Sequence, residues 1–469
     1  MNDHFDIAVI GAGASGALAA ELLATRGYNV IVLDAGPGLE DQLRSIGGDK
    51  SHKPNSYIYN EFSAPLIADD VRQHIESTHE KFHWSHVQGL GGRSLFWQGV
   101  ALRMSDKEFK AASHDGCGID WPIGQADLDD YYRLCEKRFG IAGKADPSKD
   151  IVIGKLRDRL GLNAFACPYT AKYFRQPKAG YRAWIEDSIA DGVFYPPKEG
   201  LTIRSMAVVN NLNLAPKERQ VESVGFFDRR TGRREHITAR VVFVCASTLE
   251  TTRILLGSRD ALGVGLREST HGLGCNLMTH LKGISLSTKQ TSRQYLRQPE
   301  ELVYCPFQAS FHNNSKLKRG WGLQIRVKDN SGGIRVNAFG EDLPYLNNCV
   351  ELDESQLDEW GRPKLRISFT WGENELLMRD AQVSQMERLA DKLELDGAAI
   401  THKLNAPGKN NHELGTARMG SSPKNSVLDR YNRIWGYDNV YVVDGSAFTS
   451  SGYQNPTLTI LALTWRACD

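Results

Sequence analysis

The sequence predicts an α/β fold: a Rossmann-type domain into which an α+β domain, built on an antiparallel sheet, is inserted. Three observations carry this. The chain opens on strand, glycine turn, helix, strand and acid between residues 5 and 34. It closes on a strand, loop and helix beginning at Val440. Between about 290 and 375, runs such as 321–327 and 364–370 alternate apolar and polar residues, the period of a half-buried strand.

The opening elements each have a physical reason. Phe5 to Ile10 (FDIAVI) is apolar and β-branched, as a buried strand requires. Gly11-Ala12-Gly13-Ala14-Ser15-Gly16 follows, then a small-residue helix from Ala17 to Ala24, and a second strand, 29–33, that ends on Asp34. Gly11 permits the tight turn, Gly13 lets the backbone approach a pyrophosphate, and Gly16 with Ala20 lets the helix pack closely on the sheet. The first helical N–H groups, from Ala14 and Ser15 onward, face the phosphates. Asp34, 18 residues after Gly16, is spaced to bond a ribose diol.

Further on, 201–209 and 221–227 read as strands, and Asp228-Arg229-Arg230-Thr231-Gly232 as a hairpin turn returning through 236–238. Residues 240–246 (RVVFVCA) form an apolar strand buried on both faces, and Ser247-Thr248-Leu249-Glu250 opens a helix. Residues 375–393 have helical character. Val440-Tyr441-Val442-Val443-Asp444-Gly445 is a strand ending on an acid and a glycine. Asn455-Pro456-Thr457 then opens the last helix, with proline in the first turn where its missing N–H costs nothing. The expected organisation is a discontinuous cofactor domain of residues 1–145, 200–285 and 400–469. A substrate domain then comprises 146–199 and 286–399.

Composition excludes several classes. The 57 Lys+Arg against 56 Asp+Glu leave no basic excess for nucleic acid. No stretch reaches the ~18 uncharged apolar residues of a membrane span. The eight cysteines are scattered, with no C-x-x-C pair and no zinc spacing, so no metal is expected. The N-terminal apolar run carries the glycine turn and lacks a basic flank, so it is not a signal peptide, and a cytoplasmic location is expected.

Taken together, these segments resemble the glucose–methanol–choline (GMC) family of flavoprotein oxidoreductases. The resemblance is carried by GAGASG with Asp34; by Gly91-Gly92-Arg93-Ser94-Leu95-Phe96-Trp97-Gln98-Gly99; by Asp120-Trp121-Pro122-Ile123 followed by Tyr131-Tyr132; and by 247–256. It is also carried by Gly274-Cys275-Asn276-Leu277-Met278-Thr279-His280, by HELGTARMG (412–420), by VYVVDGSAFTSSG (440–452) and by NPTLTILAL (455–463). It spans most of the chain and is closest to bacterial sugar- and glycoside-oxidising members and to pyranose-oxidase-like proteins. Cys275 and Thr279 depart from the Arg and Asp usual in their segment, which leaves that segment without an assigned role.

The resemblance implies FAD as cofactor and oxidation of an alcohol to a carbonyl. His412 matches the catalytic histidine and Asn455 the second active-site position. Asp444 and Gly445 match a segment lining the flavin, with Pro456 and Thr457 beside its pyrimidine end. Gly91, Gly92, Arg93, Ser94 and Trp97 match the loop passing the isoalloxazine and pyrophosphate. Val208 or Val209 is placed to meet the adenine through its backbone, and Ala246 is a further cofactor contact. Pyranose 2-oxidases carry a histidine in that loop that bonds covalently to FAD; the matching residues here are Leu95-Phe96-Trp97, which implies non-covalent FAD.

His412 is then the base, Asn455 donates to the developing alkoxide, and the adjacent carbon passes a hydride to flavin N5. The expected donor is a ring hydroxyl of a sugar or glycoside, bound by Trp321, Gln324, Arg326, Asn337 and Trp371; if Trp321 and Trp371 are core residues, they take no part. The alternatives are a polyol, cyclitol or natural-product alcohol, or a non-redox lyase on the same fold. A nicotinamide-dependent enzyme is permitted by the N-terminal fingerprint alone. The electron acceptor is oxygen or another acceptor. Association with a second copy of the chain or a small accessory subunit is compatible with the family.

Overall fold

The computed structural model describes residues 4–38, 67–68, 74–76, 82–84, 86–95, 99–142, 165–166, 169–170, 199–288, 301–307, 316–327, 333–395 and 397–469. Strand β1 (His4–Ile10), helix α1 (Ala14–Thr25) and strand β2 (Val30–Leu33) form the opening unit. β1 lies parallel to β2, from Ile7↔Val30 to Ile10↔Leu33. On its other side β1 lies parallel to the end of the strand Arg233–Val244, from His4↔Thr238 to Ile10↔Val244. Val440–Val442 pairs parallel with that same long strand, so the two ends of the chain share one sheet.

The long strand changes partners along its length. Its first half runs antiparallel to Gln220–Asp228, which pairs with Ala207–Ala215. The turn between the first two is closed by Asp228, whose carboxylate accepts from the backbone N of Arg230 at 2.7 Å and of Thr231 at 3.2 Å. The second half is the buried apolar strand that 240–246 predicted, with Val242, Phe243, Val244 and Cys245 in the core. The whole is an eight-stranded mixed sheet.

One predicted strand divides. Residues 201–209 form two strands, Leu201–Arg204 parallel to β2 and Ala207–Ala215 in the antiparallel meander. The break falls at Met206, in the left-handed region at φ +62°, with its N–H bonded to the Gly36 carbonyl at 2.8 Å. Two neighbours on one chain cannot serve a parallel edge and an antiparallel hairpin without that step.

The second sheet has six strands, all paired antiparallel, in the order Ala399–Thr401, Leu281–Ser287, Ile334–Gly340, Trp321–Val327, Glu301–Phe307 and Phe165–Ala166. Alternation divides its faces. Leu323, Ile325, Val336 and Ala338 pack into a core with the helix Glu373–Lys392, through Met378, Met386 and Leu389. Gln324 faces Asn337, and Arg326 faces Arg335, on the opposite face. The predicted strand at 364–370 is present as Pro363–Ser368 but belongs to a separate three-stranded sheet with Cys349–Leu357 and His74–Glu76. Among the described residues no helix is long and apolar enough to cross a membrane.

A buried charge network joins the helix Thr248–Gly257 to the turn after Cys349–Leu357. Arg253 Nη1 donates to Asp358 at 3.1 Å, and Arg362 donates to Asp358 at 2.9 Å and to Glu250 at 3.0 Å. Burial pushes the Arg253 guanidinium down to about 10, and the nearby carboxylates only partly offset this. Replacing Asp358 takes one of two carboxylates from a pair of buried guanidinium groups and leaves Glu250 to serve both, so Asp358→Ala is expected to cost about 3–5 kcal/mol. Urea unfolding of the two proteins measures it; a loss below about 1 kcal/mol would mean that Glu250 alone holds both arginines.

Candidate active site

The glycine turn is shaped by contacts closer than a side chain permits. A Cβ at Gly11 would lie 2.6 Å from the Cys245 carbonyl oxygen, and one at Gly16 would lie 1.9 Å from the Gly11 oxygen. At Gly13 a Cβ would meet nothing within 4 Å. Gly13 caps α1, a 12-residue helix, and offers its first-turn N–H groups no side-chain partner. That arrangement fits a dinucleotide pyrophosphate, which supplies the charge and acceptors these groups lack.

Asp34 stands at the end of β2 beside this turn. Its carboxylate accepts from Ala12 N at 2.8 Å and Gly36 N at 2.9 Å, one on each oxygen. Burial pushes its carboxyl above the usual range, and the two N–H groups pull the other way. Each oxygen keeps a lone pair for a ribose hydroxyl. Ala207 N bonds the Asp34 carbonyl at 2.8 Å, which brings Val208 to the same edge, and Ala246 packs against the Gly11 position.

The loop that follows closes over the turn: Gly91 N donates to Ala12 O at 2.9 Å, Gly92 packs on Gly13, and Ser94 Oγ donates back to Gly91 O at 2.5 Å. Phe96, Trp97 and Gln98 lie outside the described residues. Arg93 makes contacts the sequence reading did not assign to it. Its Nη1 donates to the Asn411 carbonyl at 2.9 Å and pairs at 2.5 Å with Glu413, which is 3% exposed. It therefore grips the chain on either side of His412.

The histidine segment is held by backbone on two sides. Gly415, Ala417 and Met419 donate to the carbonyls of Gly445, Ser446 and Ala447, each at 3.0 Å. Leu414 exchanges two bonds of 2.9 Å with Met278 on the opposite side. Gly415 and Gly445 make this possible: a Cβ at Gly415 would sit 2.1 Å from the Asn276 oxygen, and one at Gly445 would sit 2.8 Å from the Glu413 oxygen. Asp444 is occupied internally. Its oxygens accept from Ser446 N and Oγ at 2.9 and 2.6 Å and from Thr251 Oγ1 at 2.5 Å, so a cofactor meets this segment through its backbone.

His412 Nδ1 lies 2.7 Å from Nδ1 of His280, with the rings edge to face and their centroids 4.9 Å apart. Burial pushes the His412 ring well below its usual value, and His280, Lys282 and Arg93 push the same way. His280 is 0% exposed, and burial holds it down at about 4. Both rings are neutral at pH 7. His280 Nε2 in turn meets the Gly452 carbonyl at 2.9 Å, on the loop that leads to Asn455. Asn455 Oδ1 accepts from Gln324 Nε2 at 2.8 Å, which leaves its amide NH₂ as a donor. Pro456 then caps the helix Thr457–Cys468.

Hydrogen bonds run from His412 through His280 to Gly452, on the loop before Asn455, and from Asn455 to Gln324, whereas two residues expected to bind the donor lie elsewhere. Trp321 is 1% exposed and Trp371 8%, both in the core under the six-stranded sheet, where Trp371 packs against Phe369 at 5.0 Å. They offer no ring face to a ligand, because odd-numbered positions of 321–327 point inward. Gln324, Arg326 and Asn337 sit on the opposite face, the one that reaches Asn455. The sequence reading did not foresee His280, Glu413 or Lys282. The histidine and Glu413 had a signal, their places in the segments 274–280 and 412–420.

Residues 344–464 match the sequence profile of the GMC oxidoreductase family, and residues 9–40 match an NAD(P)-binding Rossmann-like domain. A cholesterol oxidase of Mycobacterium tuberculosis is 45% identical over 549 aligned positions, covering 100% of this chain and 91% of that one. A 2-methyl-1,2-propanediol dehydrogenase of Mycolicibacterium austroafricanum is 27% identical, covering 100% and 95%. A 6'''-hydroxyparomomycin C oxidase of Streptomyces lividus is 26% identical, covering 98% and 89%. The fold is shared with the crystal structure of pyridoxine 4-oxidase from Mesorbium loti, at TM-score 0.67 and 18% identity over 99% of this chain and 98% of that one.

The open space at Gly13 and the closed space at Gly16 separate two roles. Gly13→Ala is expected to leave the melting temperature of the cofactor-free protein unchanged while weakening FAD at least tenfold, about 1.4 kcal/mol. Gly16→Ala is expected to lower that melting temperature outright. Flavin titration and thermal unfolding check both; full FAD affinity in Gly13→Ala would remove the pyrophosphate from this turn.

Proposed function

We propose a function from one premise: the chain belongs to the GMC oxidoreductase family, whose members are FAD-dependent enzymes acting on CH–OH donors. The proposal is that it oxidises a ring hydroxyl of a sugar or glycoside to the carbonyl, with His412 as base and Asn455 as donor to the alkoxide. The observation that carries it is the half-buried His412 ring, bonded to His280 and held well below its usual value, in a chain that Arg93 grips at Asn411 and Glu413. A base must be unprotonated when substrate arrives, and burial arranges that here.

The chain's own residues supply the rest. His412 takes the hydroxyl proton as the carbon–oxygen bond gains double-bond character. Asn455, turned by Gln324 so that its NH₂ is free, stabilises the charge on that oxygen. The bound FAD supplies a two-electron acceptor for the hydride that leaves the carbinol carbon. The turn 11–16, Asp34 and the 91–94 loop would hold the cofactor, together with Asp444–Gly445 and Pro456–Thr457. Held without a covalent link, it is expected to be released into solution when the protein is denatured.

The substrate reading rests on the sheet face beside Asn455. Gln324, Asn337, Arg326 and Arg335 present amides and cations there, and Lys282 stands near with its ammonium 4.6 Å from the Phe339 ring. Such a surface matches a donor carrying many hydroxyls, as the aminoglycoside oxidase among the relatives does. It fits poorly with a sterol, the substrate in the name of the 45% identical relative.

His412→Ala is expected to keep bound FAD and lose about 10²–10⁴ in the rate of anaerobic flavin reduction. The donors to try are glucose, methyl glucoside, mannitol and cholesterol. Bleaching by cholesterol alone would overturn the sugar reading, and an undiminished rate in the variant would remove His412 as base. The pH profile adds a sign. A base with its value lowered works above that value and fails below it, so reduction should persist as pH falls through 6.5 and decline only well beneath it. An acid limb at 6.5 or higher would contradict the buried, neutral ring.

A further inference from the structure

We propose that His280 is a positioning residue that keeps the proton of His412 on Nδ1, leaving Nε2 as the nitrogen that takes the substrate's proton. This rests on the reading of His412 as base.

The assignment follows from the acceptors. A backbone carbonyl only accepts, so at 2.9 Å from Gly452 O it is His280 Nε2 that carries a hydrogen. His280 is neutral when buried, so its Nδ1 then holds a lone pair. The 2.7 Å contact between the two Nδ1 atoms needs one hydrogen, and His412 must supply it. A neutral His412 with Nδ1–H has a bare Nε2. Which nitrogen of an imidazole bears the proton is set by the partner of the other, and here a second histidine is that partner.

The surroundings make His280 an unusually fixed acceptor. Its own carbonyl receives Asn410 Nδ2 at 2.6 Å, two residues before His412. Thr279 N is bonded to Asp342 at 3.0 Å. Gly452, whose carbonyl faces His280, donates its own N–H to Glu341 at 3.2 Å, and Glu341 is paired with Arg319 at 2.9 Å. Gly452 sits at φ +59°, where a Cβ would come within 2.7 Å of Gln454 Oε1. The charged groups facing the pair are Lys282 and Arg93, both of which disfavour a second proton on His412. His280 can therefore neither turn nor charge at neutral pH, so the orientation of His412 is inherited from it.

The test uses the FAD-loaded enzyme with ¹⁵N-labelled histidine, because NMR distinguishes the two neutral tautomers by which ring nitrogen bears hydrogen. The His412 signals, assigned by their loss in His412→Ala, are expected to show Nδ1–H and a bare Nε2 at pH 7. A proton on Nε2 of His412 overturns the proposal. Two variants add a functional readout against the same donor panel. His280→Leu removes the acceptor and should lower kcat for flavin reduction about 10–100-fold with KM little changed. His280→Asn puts a carbonyl oxygen near the Nδ1 position and should recover most of that loss. A wild-type rate in His280→Leu, with His412→Ala inactive, sinks the positioning role and leaves the base standing. An active His412→Ala sinks the base itself. If His280→Leu fails to fold, the wild-type spectrum alone decides.

Discussion

The backbone ladder on both edges of residues 414–419 is the constraint from which the rest of the site follows. One edge bonds 445–447, the segment at the end of the last parallel strand, and the other bonds Met278, just ahead of the six-stranded sheet. A three-ply arrangement of backbone leaves no room for Cβ atoms at Gly415 and Gly445. It places His412 between the end of the last parallel strand and the segment that leads into the six-stranded sheet.

In and around the site, several buried polar groups pair with one another. Asp34 spends its charge on two backbone N–H groups, and Asp444 on a serine and a threonine. Arg93 is paired with Glu413. Desolvation would otherwise make such groups costly, and pairing turns each into a fixed strut. The two histidines take the other route. Burial keeps them uncharged, and a neutral imidazole can both donate and accept, so the pair extends one hydrogen-bonded line from Gly452 to His412.

Most of the architecture was legible along the chain. Repetition of apolar residues at a period of two or near 3.6 marks strands and helices wherever one face is buried, as in 321–327 and 373–392. The glycine turn could be read because only glycine tolerates the contacts at positions 11 and 16. The departures share one cause, that local pattern does not name the partner. Residues 201–209 read as one strand because nothing local says that their halves join different neighbours. Trp321 read as a ligand platform because an aromatic on a strand looks the same whichever face it occupies, and nothing local shows that Trp371 turns into the core.

What the sequence determined by itself was the order of elements, the cofactor turn and the residue types at 412 and 455, since these depend on conformations and chemistry that particular side chains alone allow. What only the tertiary structure decided was which residues those side chains meet. Arg93, read as a cofactor contact, grips the chain beside His412 from 318 residues away. His280, in a segment left without a role, holds its ring from 132 residues away. Hydrogen bonds act over about 3 Å regardless of separation along the chain, so a pattern read within a short window carries no trace of them.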